Sequence, residues 1–190
     1  MRFYPLDEKR PVIKLIQQNI EASMDGYIFP EIPTFKFAMR RELIGQPQYF
    51  PRRGTPIATG WDVCAAPIKS VTLRAGQYAK IPLGFRVFAP EGWWLELRPR
   101  SSTFAKKQLH CLYGVIDEDY EGECLFACQY IPDISTMGND LTIGSGDAIG
   151  QLVPVRRQEM KVEMVTNEEY EKFCKERSAS RGTGGFGSTG

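Results

Sequence analysis

From about residue 34 to residue 165, apolar side chains recur at every second position in short runs separated by Pro and Gly. Runs at 34–39, 71–73, 78–81, 84–88, 93–97, 123–130, 149–155 and 160–165 read as strands, with Pro90-Glu91-Gly92 as a turn between two of them. Many short strands at this spacing predict a sandwich or barrel. The period is helical on either side of this block. Over 7–25, Val12, Ile13, Ile16 and Ile20 fall on one stripe; Asp7 can cap it, Pro11 suits a first turn and Asp25-Gly26 supplies a stop. That stripe needs a surface to cover, on its own subunit or on a neighbour. Over 166–178, Thr166 and Glu169 form a capping box ahead of an apolar face of Tyr170, Phe173 and Cys174. The polar stretch 132–146 reads as a loop, and the glycine-rich 181–190 has almost nothing to bury. The resulting plan is an N-terminal extension with a helix (1–33), a β domain (34–165), and a helix followed by a C-terminal arm (166–190). No internal repeat is visible.

Composition narrows the classes. The chain has 190 residues, one domain's worth with room for an appendage, and 42% hydrophobic and 25% charged residues are ordinary for a globular protein. Twenty-four basic against 23 acidic residues leave a net charge of +1, so no global field draws in nucleic acid or an anionic membrane, and neither is expected as a partner. Any bound anion must be held locally. No apolar run approaches a membrane span, and the first residues are charged where a signal peptide would be apolar. An intracellular protein, cytoplasmic or in a comparable compartment, is expected. The five cysteines, Cys64, Cys111, Cys124, Cys128 and Cys174, lack CxxC spacing and read as reduced core thiols. A metal cluster of His110, Cys111, Cys124 and Cys128 is disfavoured, because adjacent strand residues point to opposite faces.

Three segments could carry chemistry. Arg98-Pro99-Arg100-Ser101-Ser102-Thr103 ends a strand with guanidiniums and hydroxyls suited to phosphate oxygens; it also suits an ordinary solvated turn. Gly114-Val115-Ile116-Asp117-Glu118-Asp119-Tyr120-Glu121-Gly122-Glu123 crowds carboxylates onto a hairpin. Asp117, following the apolar pair Val115-Ile116, could be held against a partly dry wall and act there as a general base toward water, and the alternative is a solvated acidic turn with Tyr120 as a packing residue. The tail, Arg181-Gly-Thr-Gly-Gly-Phe186-Gly-Ser-Thr-Gly, could close over a ligand, with Arg on phosphate and Phe on a ring face. It lacks the lysine of a P-loop, and a frayed terminus would have the same composition.

These segments, with two more, stand in the order and spacing of the trimeric dUTP pyrophosphatases (dUTPases), which the chain resembles over roughly 34–190. The five motifs are matched by Thr59-Gly-Trp-Asp-Val-Cys-Ala, Pro99-Arg-Ser-Ser, Gly114-Val-Ile-Asp-Glu-Asp-Tyr-Glu-Gly, Gly146-Asp-Ala-Ile-Gly-Gln-Leu and the tail. Any one alone is weak; five in order are specific. The resemblance implies an all-β, jelly-roll-like barrel with an N-terminal helix and a short helix before the C-terminal arm. It implies a homotrimer with sites at subunit boundaries, since a chain this short has no room for a duplicated monomeric version. The implied reaction is hydrolysis of dUTP to dUMP and pyrophosphate, which keeps uracil out of DNA and supplies dUMP for thymidylate synthesis.

The resemblance also implies roles. Asp117 would activate the water that attacks the α-phosphorus, and Asp62 would organise the metal–water shell. Mg2+ would ride on the triphosphate, with no direct protein ligand. Tyr120 would pack beneath the deoxyribose and exclude a 2′-hydroxyl. The hairpin 109–123, including Gly114, Val115 and Ile116, would read uracil mostly through its backbone and leave no space for a 5-methyl group. Arg100, Ser101, Ser102 and Gln151 would hold phosphate oxygens. Arg181 would meet the terminal phosphate, and Phe186, within Gly185, Gly187 and Ser188, would cover the uracil as the tail orders.

Ala148 stands where the fourth motif commonly has Arg, which removes a possible salt bridge. Trp61 replaces a usual Tyr, and Cys111 an Asn found in some members. A homologous dCTP deaminase would need a different third motif and would release ammonia from dCTP. A nucleotide-switched regulatory trimer, engaging a protein partner through the N-terminal extension, is the alternative from another functional class.

Overall fold

The computed structural model describes residues 32–177. The helix expected over 7–25 and the tail residues Arg181, Gly185, Phe186, Gly187 and Ser188 lie outside the described residues. The chain divides into two compact units, 1–156 and 157–190.

The first unit is built from short antiparallel strands. A five-stranded sheet has the order β2 (Arg52–Arg53), β3 (Trp61–Cys64), β12 (Ala148–Arg156), β7 (Trp93–Pro99), β9 (Gly114–Ile116). A three-stranded sheet has the order β5 (Tyr78–Pro82), β10 (Leu125–Tyr130), β8 (Leu109–Cys111), and two pairs complete the fold: β1 (Lys36–Met39) with β6 (Phe85–Phe88), and β4 (Val71–Leu73) with β11 (Leu141–Ile143). A short helix, α1 (Ser101–Ala105), follows β7 directly. This is the all-β jelly-roll architecture expected.

Alternation produces the core. Along β10, Phe126, Cys128 and Tyr130 are buried while Leu125 and Gln129 face out; along β7, Leu95 and Leu97 are buried between more exposed neighbours. With Val63, Ile81, Leu83, Phe85, Ile143, Ile149 and Leu152 they form one cluster shared by the sheets. The turn at Pro90-Glu91-Gly92 is present: Trp93 donates its N–H to the Pro90 carbonyl at 3.1 Å and Gly92 adopts φ +76°. The strands it joins enter different sheets, β6 beside β1 and β7 between β12 and β9.

Several expectations need correcting. The run 160–165 forms no strand, and Met160, Val162 and Met164 are exposed. Alternation is only half of a strand; a neighbour must take its backbone hydrogen bonds, and the described part of the second unit supplies none. The loop expected over 132–146 contains β11, whose Leu141 and Ile143 lie opposite Leu73 and Val71. The helix of the second unit, α2 (Asn167–Glu176), has the expected box: Glu169 donates its N–H to Thr166 Oγ1 at 3.2 Å, and Thr166 donates its own to Glu169 Oε2 at 2.8 Å. Its apolar residues Tyr170, Phe173 and Cys174 are exposed, so Cys174 is not a core thiol.

Phe126 has no exposed surface and packs against both Gly150 and the core cluster. Phe126→Ala is expected to cost about 3–5 kcal/mol, measured as a lowered urea midpoint with an unchanged denaturant slope.

Candidate active site

Four strands of the five-stranded sheet converge on one group of polar side chains. Gln151 on β12 lies opposite Asp62 on β3 and Arg98 on β7, and Arg52 on β2 lies opposite Asp62. Directly opposed residues share a face, so these four form a row across the sheet. The Arg100 guanidinium pairs with Asp62 (Nε to Oδ1, 3.1 Å), with both side chains partly exposed. Arg98 is instead held by Glu96 at 2.7 Å. Gln151 donates from Nε2 to the Pro99 carbonyl at 3.0 Å, tying the fourth motif to the second.

The Gln151 side chain fills a notch left by Gly60. A Cβ on Gly60 would lie 2.9 Å from Gln151 Cδ and would collide with Oε1 as well. Sequence reading did not single out Gly60 for any role, because only the folded register shows what its missing side chain makes room for.

The second motif turns from strand to helix at Arg100, which is extended (φ −80°, ψ 155°), so that Ser101 opens α1. Ser101 is exposed and Ser102 half-buried, so two hydroxyls flank the Asp62–Arg100 pair within one turn. Cations and hydroxyls around an accessible carboxylate can hold phosphate oxygens and a metal-bound water shell. Among the described residues no three metal-ligating side chains gather at one point. A Mg2+ here would therefore draw its ligands chiefly from phosphate and water, with Asp62 the carboxylate placed to meet that shell.

The third motif is not a closed hairpin. Its arms β8 and β9, joined only by Leu112 and Tyr113, pair with β10 and β7 respectively and each ends its sheet. Each arm therefore has one backbone edge unpaired among the described residues, and such an edge can read a planar base through N–H and C=O groups. Ile116 points its side chain into the core, while Val115 is exposed and Gly114 lies opposite Leu97. Cys111 sits opposite Cys128, with its thiol directed at the Leu109 carbonyl (3.4 Å).

Asp117 is exposed, not set against a dry wall as expected: of the apolar pair before it, only Ile116 is buried. The acidic run separates by role. Glu118 accepts the Gly92 N–H at 2.9 Å, and Glu123 accepts the Gly84 N–H at 3.0 Å with Arg40 Nε 3.7 Å away. These two carboxylates brace the turn, and Asp117 remains accessible to a reactant. Tyr120 donates its hydroxyl to the Glu123 carbonyl at 3.1 Å, and its ring lies over Gly122, where a Cβ would come within 2.6 Å of Cζ.

One protomer does not bring all of these groups together. Ile116 lies opposite Leu95, so Asp117, one residue further, sits roughly 13 Å along the sheet from Arg98 at ~3.3 Å per residue. Asp62, Arg100, Ser101 and Gln151 form one group; Asp117 and Tyr120 form another. Ala148 packs against a small cluster of Leu43, Tyr49, Cys64 and Ala66, so at this position an apolar contact replaces the arginine of the usual motif. Trp61 stacks on the Arg53 guanidinium, 4.8 Å from centre to ring.

The fold and this site define a jelly-roll protein with Asp62, Arg100 and Gln151 gathered on one face of a sheet and an open-edged third motif. The family model described as dUTPase matches residues 47–190. Among similar proteins, the deoxyuridine 5′-triphosphate nucleotidohydrolase of Neorickettsia sennetsu is 34% identical over 151 residues, covering 77% of this chain and 91% of that protein. That of Paramecium bursaria Chlorella virus 1 is 32% identical over 140 residues, covering 74% and 89%. The crystal structure of dUTPase from Streptococcus mutans superposes with a TM-score of 0.57 at 25% identity, covering 66% of this chain and 98% of that one. The chain belongs to the dUTPase family.

Two outcomes follow from the site. Gly60→Ala is expected to push the Gln151 amide aside and break its bond to the Pro99 carbonyl, costing about 0.5–1.5 kcal/mol, measured by thermal unfolding. Burial pushes the Cys111 and Cys124 thiols up to about 12 and the Cys128 thiol up to about 11, from an ordinary 9.0. The folded protein therefore keeps protons that the unfolded chain releases, so stability is full below about pH 9 and is lost as pH rises toward 11–12. Urea midpoints that fall steadily above pH 9 are expected.

Proposed function

We propose that this protein hydrolyses dUTP to dUMP and pyrophosphate, as a dUTP diphosphatase. The observation that carries the reading is the group of Asp62, Arg100 and Gln151 at one sheet end beside Ser101, in a chain of this family. In this reading Arg100, Ser101, Ser102 and Gln151 hold phosphate oxygens by charge-assisted and neutral hydrogen bonds. Mg2+ on the triphosphate, when bound, neutralises charge on the phosphates, and Asp62 meets its water shell. The unpaired strand edge at Gly114, Val115 and Ile116 pairs with the uracil edge. The ring of Tyr120, braced on Gly122, forms a flat wall beneath the deoxyribose.

Asp117 takes a proton from water as the water oxygen bonds to the α-phosphorus and the bond to the pyrophosphate oxygen breaks. A carboxylate roughly 13 Å along the sheet from the phosphate group cannot serve that group in the same protomer. We therefore assign Asp117 and Tyr120 to a neighbour's phosphate group, in a homotrimer with sites at its boundaries. The run 160–165, with apolar residues at alternate positions and no pairing partner in the described part of its own unit, fits such an exchange between subunits. Arg181 on the terminal phosphate and Phe186 on the uracil, within Gly185, Gly187 and Ser188, complete the site as the tail closes and excludes water.

The test is pyrophosphate release from dUTP, dCTP, dTTP and UTP with Mg2+, with subunit number measured by sedimentation. Rapid turnover of dUTP alone by a trimer is expected, and Asp117→Asn should lower kcat by about 10²–10⁴-fold. Ammonia release from dCTP, or no turnover of dUTP, would overturn the reading.

A further inference from the structure

Thr103 is the one fully buried polar side chain among the described residues, with no exposed surface. It lies in the short helix α1, where its N–H binds the Arg100 carbonyl at 2.9 Å, and its hydroxyl leaves the helix to donate to the Ile149 carbonyl at 2.7 Å. Ile149 is where β12 slips register: Ala148 lies opposite Cys64, yet Gly150 lies opposite Val63, and on the other side pairing with β7 begins only at Gly150 with Pro99. Ile149 thus has no register partner on either neighbour, as the extra residue of a β-bulge. Its carbonyl, in a residue with no exposed surface, needs a donor from elsewhere. Thr103 supplies it.

The bulge sets the phase of β12. Successive strand residues point to opposite faces, so the extra residue decides that Gln151 falls on the face shared by Asp62 and Arg98. The same hydroxyl fixes α1, which begins with Ser101 and whose preceding residue is Arg100. Lys107, just beyond α1, repeats the link with an ion pair to Asp147 at 3.4 Å. One buried hydrogen bond therefore locks the second motif's phosphate donors to the fourth motif's.

We propose that Thr103 is a positioning residue for phosphate recognition, acting through the Ile149 bulge to hold Arg100 and Ser101 in register with Gln151. This rests on the dUTP-hydrolysing reading for the identity of the ligand. Thr103→Val keeps the side chain's shape and leaves a buried carbonyl unpaired, whereas Thr103→Ser keeps the donor. Calorimetric affinities for inorganic pyrophosphate and for deoxyuridine, with kcat and KM for dUTP, are measured at a temperature where circular dichroism shows each variant folded. In Thr103→Val, pyrophosphate affinity is expected to fall about tenfold or more and KM to rise in parallel, with deoxyuridine affinity unchanged. Thr103→Ser should return both toward wild type.

Wild-type pyrophosphate affinity and KM in Thr103→Val, with only the melting temperature lowered, would overturn the proposal and leave Thr103 a structural residue. An equal loss of deoxyuridine affinity would also overturn it. If Thr103→Val does not fold, Thr103→Ala, which also lacks the donor, is expected to show the same selective loss; wild-type values there would overturn it too. A wild type that binds pyrophosphate but does not turn over dUTP would sink the enzymatic reading alone, since the pyrophosphate comparison needs no turnover.

Discussion

The structure depends on where β12 pairs. Its nine residues lie between β3 and β7, and that double pairing sets the row from which the polar site is built. Opposite Gln151, one neighbour presents Asp62 and the other Arg98. A shift of one residue would turn the same strand inside out, burying Gln151 and exposing Leu152. Apolar burial holds the register on the core side through Ile149 and Leu152. Polar contacts hold it too: the buried Thr103 hydroxyl on the Ile149 carbonyl, the Gln151 amide on the Pro99 carbonyl, and the notch at Gly60 that the Gln151 side chain fills.

The charged residues divide by what surrounds them. Glu118 and Glu123 accept backbone N–H groups of Gly92 and Gly84 and fix the third-motif turn; this is how a hairpin tolerates so many carboxylates. Asp62 is paired with Arg100 yet partly exposed, a state suited to exchanging one partner for another when a phosphate arrives. Asp117 has neither a backbone donor nor a pairing cation among the described residues, and a carboxylate so placed is available to water. The same partition explains why the chain, nearly neutral overall, can still hold a polyanion: the cations are local and arranged in register.

What could be read in advance was whatever depends on neighbours close along the chain. The capping box of Thr166 and Glu169, the Gly92 turn, the strands β7, β10 and β12 and the second motif's place at a strand exit all follow from local patterns, and they are present. The strands that escaped notice, β2, β3 and β11, have two to four residues each, and β8 and β9 were legible only as one hairpin. So few positions carry almost no alternation, and a distant partner decides them. The run 160–165 failed in the opposite sense, with good alternation and no pairing neighbour among the described residues.

By itself, then, the sequence determined the fold class and the family, because both rest on short-range patterns and on motif order. Only the tertiary structure decided that Glu118 and Glu123 are braces, that Asp117 lies far from the phosphate group of its own protomer, and that the third-motif arms belong to separate sheets. It alone gave Gly60 and Thr103 their roles. A notch and a bulge are properties of two strands brought together from distant parts of the chain, and a linear pattern has no place to record them.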